Sequence, residues 1–112
     1  MTRLTSLDAY CCSPDTSIRD ALARLNATEY VFQLIVQPGQ QLLGTLTDGD
    51  VRRALLRDVS LDAEVRQAMH TSFLAGKAGE NEANLTRLAE DDRLVTFLPV
   101  LDDQGDVVEV LV

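Results

Sequence analysis

Basic charge is scarce in this 112-residue sequence, in which 10 lysines and arginines stand against 18 aspartates and glutamates, for a net charge of −8. Nucleic acids and anionic membrane surfaces attract basic stripes, so this balance argues against both as partners. No apolar run approaches the length of a membrane span, and residues 1–6 lack the apolar core of a signal peptide. The sequence therefore predicts a cytoplasmic protein.

Aromatic residues and catalytic side chains are also sparse. Aromatics make up 4% of the chain and tryptophan is absent, so the core of a single compact domain must be aliphatic. Cys11 and Cys12 are adjacent, a spacing that rarely forms a disulfide, and we expect two partly buried free thiols. His70 is the sole histidine and has no recognisable partner, so we expect it near the surface. The sequence predicts no catalytic residues and no metal site.

The hydrophobic pattern repeats one order of elements, helix, strand, turn and strand, about 65 residues apart. In the first copy we predict helices at 14–27, 47–57 and 62–69 and strands at 31–36 and 42–46. In the second we predict strands at 72–75, 95–101 and 107–112 and a helix at 81–91 whose inward face carries Leu85, Leu88 and Ala89. Pro99 indicates an edge strand or a strand end. The acids at 80, 82 and 90–92 are most simply a solvated helix face.

One segment, Gly44-Thr-Leu-Thr-Asp-Gly-Asp50, lies where a predicted strand leads into a helix. Gly44 has no Cβ, so a flat ring or a sugar can approach the backbone closely. The helix start at Thr47 offers free N–H groups to a phosphate, and Arg52 or Arg53 could reach the same phosphate. Asp50 can accept two hydrogen bonds from the ribose diol. These residues predict a nucleotide site.

A simpler interpretation of the same segment needs no ligand. Thr47-x-x-Asp50 is close to a capping box, in which the two residues satisfy each other at the start of a helix. A second alternative treats Asp48 and Asp50 as an Asp-x-Asp pair for Mg²⁺. The chain is too short for the α/β domain that usually carries such chemistry, so we do not favour this alternative.

Residues 44–57 resemble the hallmark segment of CBS domains, in which Gly-x-x-Thr-x-x-Asp marks the nucleotide-binding strand-to-helix turn. More narrowly, the sequence is similar to the CBS pair that precedes the catalytic domain of some bacterial sugar-phosphate nucleotidylyltransferases. The resemblance includes residues 13–22 and 65–69 and is weaker in the second half. It implies an α+β fold of two βαββα repeats, residues 1–70 and a truncated copy at 71–112, packed side by side through their sheets.

The resemblance also implies a function. Such pairs bind AMP, ATP or S-adenosylmethionine, require no cofactor, and dimerise through helices, here around 51–57 and 62–69. The implied nucleotide site comprises Gly44, Thr45, Thr47, Asp50 and Arg53, with Cys12, Pro14 and Phe32 near the base. The implied protein is a regulatory homodimer attached to a nucleotidylyltransferase and is not itself an enzyme.

The second copy departs from the motif. Glu109 replaces the glycine and Val112 stands at the position of Thr47, so we expect one competent site at most. Two functions remain open. The chain either senses an adenine nucleotide, or it is a ligand-free dimerisation module in which Thr47 and Asp50 only cap a helix.

Overall fold

The computed structural model describes residues 2–90 and 96–112 and gives only the backbone of Glu90. Its contacts divide the chain into two units. The first unit is Asp8–Phe73, and the second unit joins Met1–Leu7 to Leu74–Val112. The N-terminal segment belongs to the second unit because Arg3 and Leu4 pair with the last strand of the chain.

Three α-helices and seven β-strands are found in the described residues, with short 3₁₀ turns at Asp8–Tyr10 and Val65–Gln67. In chain order they are β1 (Arg3–Leu4), β2 (Cys11–Cys12), α1 (Ile18–Asn26), β3 (Gln33–Val36), β4 (Leu42–Leu46), α2 (Asp48–Leu56), β5 (Gly76–Lys77), α3 (Asn81–Glu90), β6 (Leu98–Leu101) and β7 (Val107–Leu111). The mixture of helices and two sheets confirms the α+β class. No helix in the described part of the chain is long and apolar enough to cross a membrane.

The first unit contains a three-stranded sheet in which β3 is central, parallel to β2 and antiparallel to β4. Side chains from α1, α2, β3, β4 and the 3₁₀ turn at Val65–Gln67 form one aliphatic cluster, whose fully buried members are Ile18, Ala21, Leu25, Ile35, Leu46, Ala54 and Val65. Burying each of the larger side chains contributes about 1.5–3 kcal/mol. The sequence places apolar residues at helical spacing on α1, and this spacing directs them into the cluster.

The helix predicted at 14–27 begins later, at Ile18. Ser17 is its N-cap, and the Ser17 hydroxyl accepts a hydrogen bond from the Asp20 backbone N–H at 3.1 Å. A serine cap satisfies one of the N–H groups that a helix start leaves without an intrahelical partner. The Ser17 cap therefore sets the start of α1 at Ile18, a boundary that the spacing of the apolar residues does not define.

The predicted helix at 62–69 is wrong. The structure has only a 3₁₀ turn at Val65–Gln67. The backbone before this turn is extended and pairs with the start of α1, since Ile18 N–H donates to Ala63 O at 2.9 Å and Val65 N–H donates to Thr16 O at 2.7 Å. These tertiary hydrogen bonds replace the intrahelical bonds that the local pattern favoured.

The second unit contains a four-stranded sheet in the order β1-β7-β6-β5. Its β6–β7 hairpin has the same register as the β3–β4 hairpin, since Val100 pairs with Glu109 as Ile35 pairs with Gly44. In both hairpins the register shifts immediately after this pair. This identity of register supports the equivalence of Gly44 and Glu109 that the sequence repeat predicted.

Several predicted features of the second unit are corrected. The strand predicted at 72–75 lies at Gly76–Lys77, and β6 begins at Leu98, while the predicted start of that strand at Val95 and the predicted helix end at Asp91 fall outside the described residues. Pro99 lies in an interior strand, where its missing N–H is tolerated because β5 pairs only with the two residues after it.

The inward face of α3 is also different from the prediction. Leu85 and Ala89 are exposed, Leu88 is half-buried, and the fully buried residue is Asn84. The Asn84 side chain bonds both backbone groups of Lys77, donating to its C=O at 2.8 Å and accepting from its N–H at 2.9 Å. Because of these bonds to β5, α3 turns Asn84 inward, and hydrophobic periodicity does not predict a polar residue at that position.

Candidate functional site

The start of α2 carries the central residues of the predicted nucleotide site. Thr47 is the N-cap, and the carboxylate of Asp50 accepts from the Thr47 backbone N–H at 2.9 Å and from the Thr47 hydroxyl at 3.1 Å. The other carboxylate oxygen accepts from the Arg53 guanidinium at 2.7 Å. The Asp50 side chain is 9% exposed and that of Arg53 is 65% exposed. The capping box expected as the simpler interpretation is therefore present.

Gly44 and Thr45 lie on β4 and adjoin the end of the first unit. A Cβ on Gly44 would lie 2.8 Å from Met69 Sδ and 3.0 Å from the His70 carbonyl oxygen. Thr45 exchanges two backbone hydrogen bonds with His70, at 3.0 and 2.8 Å. The space that the glycine leaves is thus filled by the residues before the unit boundary. The His70 side chain is exposed, as predicted.

The predicted base-binding residues are divided between the two ends of the three-stranded sheet. Gln33 pairs with Leu46, so Phe32 and Thr47, which adjoin this pair, lie at the same end of the sheet. Phe32 stacks on Tyr10 with ring centroids 4.8 Å apart. Cys12 lies on β2, which runs parallel to β3, so Pro14 follows β2 at the opposite end. The register brings Phe32 closer to the start of α2 than Pro14.

A buried polar network beside α1 was missed by the sequence analysis. Gln33 is 0% exposed and donates through its amide to Ala9 O at 2.9 Å, while its amide oxygen accepts from Arg24 Nε at 3.2 Å. Arg24 also donates to the carbonyls of Asp8 and Cys11, at 2.7 and 2.6 Å. A glutamine within an apolar strand signals such a network, because a buried amide needs hydrogen-bond partners.

The two cysteines line an open cleft of about 530 Å³ together with Thr16, Asp20, Ala23 and Arg24. Both thiols are free and half-buried, as predicted. Burial raises the pKa of the Cys11 thiol to about 11 and also raises the pKa of Cys12, although the Arg24 charge opposes both shifts. At neutral pH both groups are protonated, and protonated thiols are weak nucleophiles.

The geometry does not favour the Asp-x-Asp alternative. Asp48 is exposed, whereas Asp50 is already held by its own helix. Within residues 2–90 and 96–112, no group of three histidine, cysteine or acidic side chains is arranged to hold a metal ion.

The equivalent position in the second unit carries an ion pair. Glu109 occupies the place of Gly44, and its carboxylate accepts from Arg3 at 2.6 Å. Arg3 comes from β1, which pairs with β7. An acid stands where the motif has a glycine, so the position differs from Gly44 in both bulk and charge.

The sequence that contains the β4–α2 junction matches a known protein family. The family model described as "CBS domain" matches residues 1–57, which include β2, α1, the β3–β4 hairpin and all of α2. The chain belongs to the CBS domain family. CBS domains are regulatory modules, and this membership confirms the broader part of the sequence resemblance.

Curated relatives of this CBS chain are longer proteins. An uncharacterized protein of Helicobacter pylori is 37% identical over 102 residues, which cover 88% of the chain and 30% of the relative. Arabinose 5-phosphate isomerase GutQ of Shigella flexneri is 30% identical over 89 residues, covering 80% of the chain and 27% of the relative. The chain thus spans less than a third of the length of these relatives.

Solved structures show the fold of the CBS chain. One is CBSX2, a CBS-pair protein from Arabidopsis thaliana, in complex with AMP. Its structure matches with a TM-score of 0.73 at 20% identity, and the match covers 96% of this chain and 84% of the CBSX2 chain. The CBS domain pair of protein MJ0100, in complex with 5′-methylthioadenosine and S-adenosyl-L-methionine, has a TM-score of 0.72 at 20% identity, with coverages of 90% and 78%. The chain has the fold of a CBS pair.

Proposed function

We propose that the chain is a regulatory CBS pair that binds an adenine nucleotide at the β4–α2 junction and modulates an enzyme in the same polypeptide. The observation that carries the proposal is the buried carboxylate of Asp50, which lies three residues into a helix whose N-cap is Thr47. Structures of the same fold are described in complex with AMP and with S-adenosylmethionine. These ligands share an adenosine group, which contains the ribose diol that a carboxylate can bind.

In this proposal each residue has a distinct role. Asp50 accepts hydrogen bonds from the ribose hydroxyls, and Thr47 lies beside the phosphate or ribose. The base lies against the apolar groups near Phe32, with Cys12 and Pro14 as more distant contributors because of their place in the sheet. Glu109 and its partner Arg3 exclude a second nucleotide from the equivalent position of the second unit.

The attached enzyme and the assembly also belong to the proposal. The sequence resemblance indicates a nucleotidylyltransferase, and the isomerase relative GutQ offers a second class of sugar-phosphate enzyme. A homodimer would form through α2, where Leu55 and Leu56 are 44% and 79% exposed. The net charge of −8 argues against nucleic-acid and anionic-membrane partners, and the location in this proposal is cytoplasmic.

A second candidate function is a ligand-free dimerisation module. The capping box favours it, because Thr47 and Asp50 satisfy each other without any ligand. The exposed leucines of α2 also favour it, since apolar surface on a helix is stabilised by burial in a partner interface.

Thermal unfolding of the 112-residue chain with AMP, ADP, ATP and S-adenosylmethionine tests the two candidates. A ligand at one hundred times its Kd adds about 2.7 kcal/mol to the free energy of unfolding, which raises the melting midpoint by roughly 10 °C. We expect such a rise with an adenine nucleotide. Titration calorimetry of Asp50→Asn at a temperature where it is folded should show affinity at least tenfold weaker.

Asp102→Asn is the matched control, because Asp102 caps the β6–β7 turn by accepting from the backbone N–H groups of Gln104 and Asp106. This variant loses a comparable carboxylate and should bind the nucleotide as the unmodified chain does. If no adenine nucleotide shifts the midpoint or gives heat of binding, the sensor function is wrong and the dimerisation module remains. If Asp50→Asn binds normally, the site has been assigned to the wrong residue.

A further inference from the structure

The Arg53 side chain folds back toward the start of its own helix. Its guanidinium bonds Asp50 at 2.7 Å, and its two terminal nitrogens lie 3.2 and 3.4 Å from the point where Gly49 would carry a Cβ. Because Gly49 has no side chain, the guanidinium has room to lie against the backbone at this position. Arg53 is therefore held beside the first turn of α2, although its Cα lies in the second turn.

This position is electrostatically unfavourable for a cation by itself. The N-terminus of a helix carries a partial positive charge, so it attracts anions and repels a guanidinium. Asp50 offsets that repulsion, since its carboxylate contacts both the helix start and Arg53. The helix N-terminus and Arg53 are both groups that would bind a phosphate. In this structure both contact the carboxylate of Asp50, which occupies the position of a bound anion.

The two partners of this ion pair differ in their freedom to move. The Asp50 side chain is 9% exposed and held by two bonds from Thr47, whereas the Arg53 side chain is 65% exposed. A change in the pair therefore moves Arg53 and leaves Asp50 in place. When Arg53 leaves, the Asp50 oxygen that it occupied is free to accept a ribose hydroxyl.

We propose that Arg53 is a latch that makes the site selective for 5′-phosphorylated adenosine over uncharged or cationic adenosine compounds. The inference rests on the proposed nucleotide site at Asp50. The phosphate of AMP draws the guanidinium away from the carboxylate, and the ribose takes the oxygen that becomes free. Adenosine and 5′-methylthioadenosine have no phosphate to compensate Arg53, and S-adenosylmethionine brings a cationic sulfonium group.

Titration calorimetry of the 112-residue chain with AMP, adenosine, 5′-methylthioadenosine and S-adenosylmethionine tests the latch. We expect AMP to bind about 10- to 100-fold more tightly than adenosine, the range expected for a charge-assisted hydrogen bond. In Arg53→Gln this preference should fall to less than about threefold, with AMP weakened and adenosine bound as well as before or better. Arg53→Lys keeps the charge and should retain part of the preference.

Arg57→Gln is the matched control, because it removes the same charge from the exposed C-cap of α2, one turn beyond Arg53. It should keep the preference for AMP. The latch is refuted if Arg53→Gln retains the preference, if it weakens AMP and adenosine equally, or if the unmodified chain binds 5′-methylthioadenosine as tightly as AMP. The last result would leave the nucleotide site intact. If none of the four compounds binds, the proposed function itself is wrong.

Discussion

Replacing Gly76 by alanine should be among the most damaging single-methyl changes in the second unit. A Cβ at this position would lie 2.5 Å from Oδ1 and 2.6 Å from Cγ of Asn84. Asn84 is 1% exposed, and its amide cannot turn away freely because it bonds both backbone groups of Lys77 and accepts from Arg87 at 3.2 Å.

The magnitude follows from two costs. Inserting a methyl group into a well-packed site costs about 1–3 kcal/mol. Moving the Asn84 amide away would also weaken its two hydrogen bonds to Lys77, by about 0.5 kcal/mol each. Together we expect a loss of about 2–4 kcal/mol in the free energy of unfolding, and a melting midpoint lower by roughly 10–15 °C.

A double-mutant cycle measured by urea denaturation separates the clash from other effects. Asn84→Ala by itself should destabilise the chain, because the N–H and C=O of Lys77 lose their partner. In the double variant the alanine at position 76 no longer meets the amide, so the combined loss should be smaller than the sum by more than about 1 kcal/mol. An additive cycle, or a Gly76→Ala variant within about 0.5 kcal/mol of the unmodified chain, would refute the reasoning.

Two further predictions concern the charges of the fold. Because the pKa of Cys11 is raised from 9.0 to about 11, its contribution to stability should be complete below pH 9 and disappear as the pH rises to about 11. Thiol alkylation followed against pH in a Cys12→Ser background checks this shift, because burial, its largest cause, remains when the smaller contribution of Cys12 is removed. The midpoint should stay above 9, and a midpoint near 9 in the folded chain would contradict the prediction. The Arg3–Glu109 pair, with side chains 42% and 18% exposed, should give a coupling energy of at most about 1 kcal/mol that falls in 1 M salt. A coupling above about 2 kcal/mol would mean that solvent does not screen the pair.

The α2 region was the most predictable part of the chain. Its start and end agree with the prediction to one residue, because a Thr-x-x-Asp cap and an apolar stripe are local signals. The hairpin before α2 was equally clear, since Gln37-Pro-Gly separates two apolar runs. The cap and the nucleotide site, the two alternatives for Thr47 and Asp50, depend on the same two side chains, and the structure shows the cap.

Long-range contacts explain the failures. The segment before Val65 has the apolar spacing of a helix, yet its backbone pairs with the start of α1. Asn84 is polar and is nevertheless the buried residue of α3, since its partner is the backbone of a strand seven residues away. Gly44 was predicted to make room for a ligand, whereas in the structure Met69 and His70 occupy that room.

The sequence by itself determined the α+β class and the residues at the start of α2, because caps, turns and periodicity act over a few neighbouring positions. The family followed from the resemblance of residues 44–57 to CBS domains. Only the tertiary structure decided that residues 2–4 complete the sheet of the second unit, that Arg53 folds back over Gly49 onto Asp50, and that Arg24 and Gln33 join a buried network. The physical reason is that a buried polar group must find a partner among the groups that the fold brings near it. That partner can lie far away in the sequence, and no local pattern identifies it.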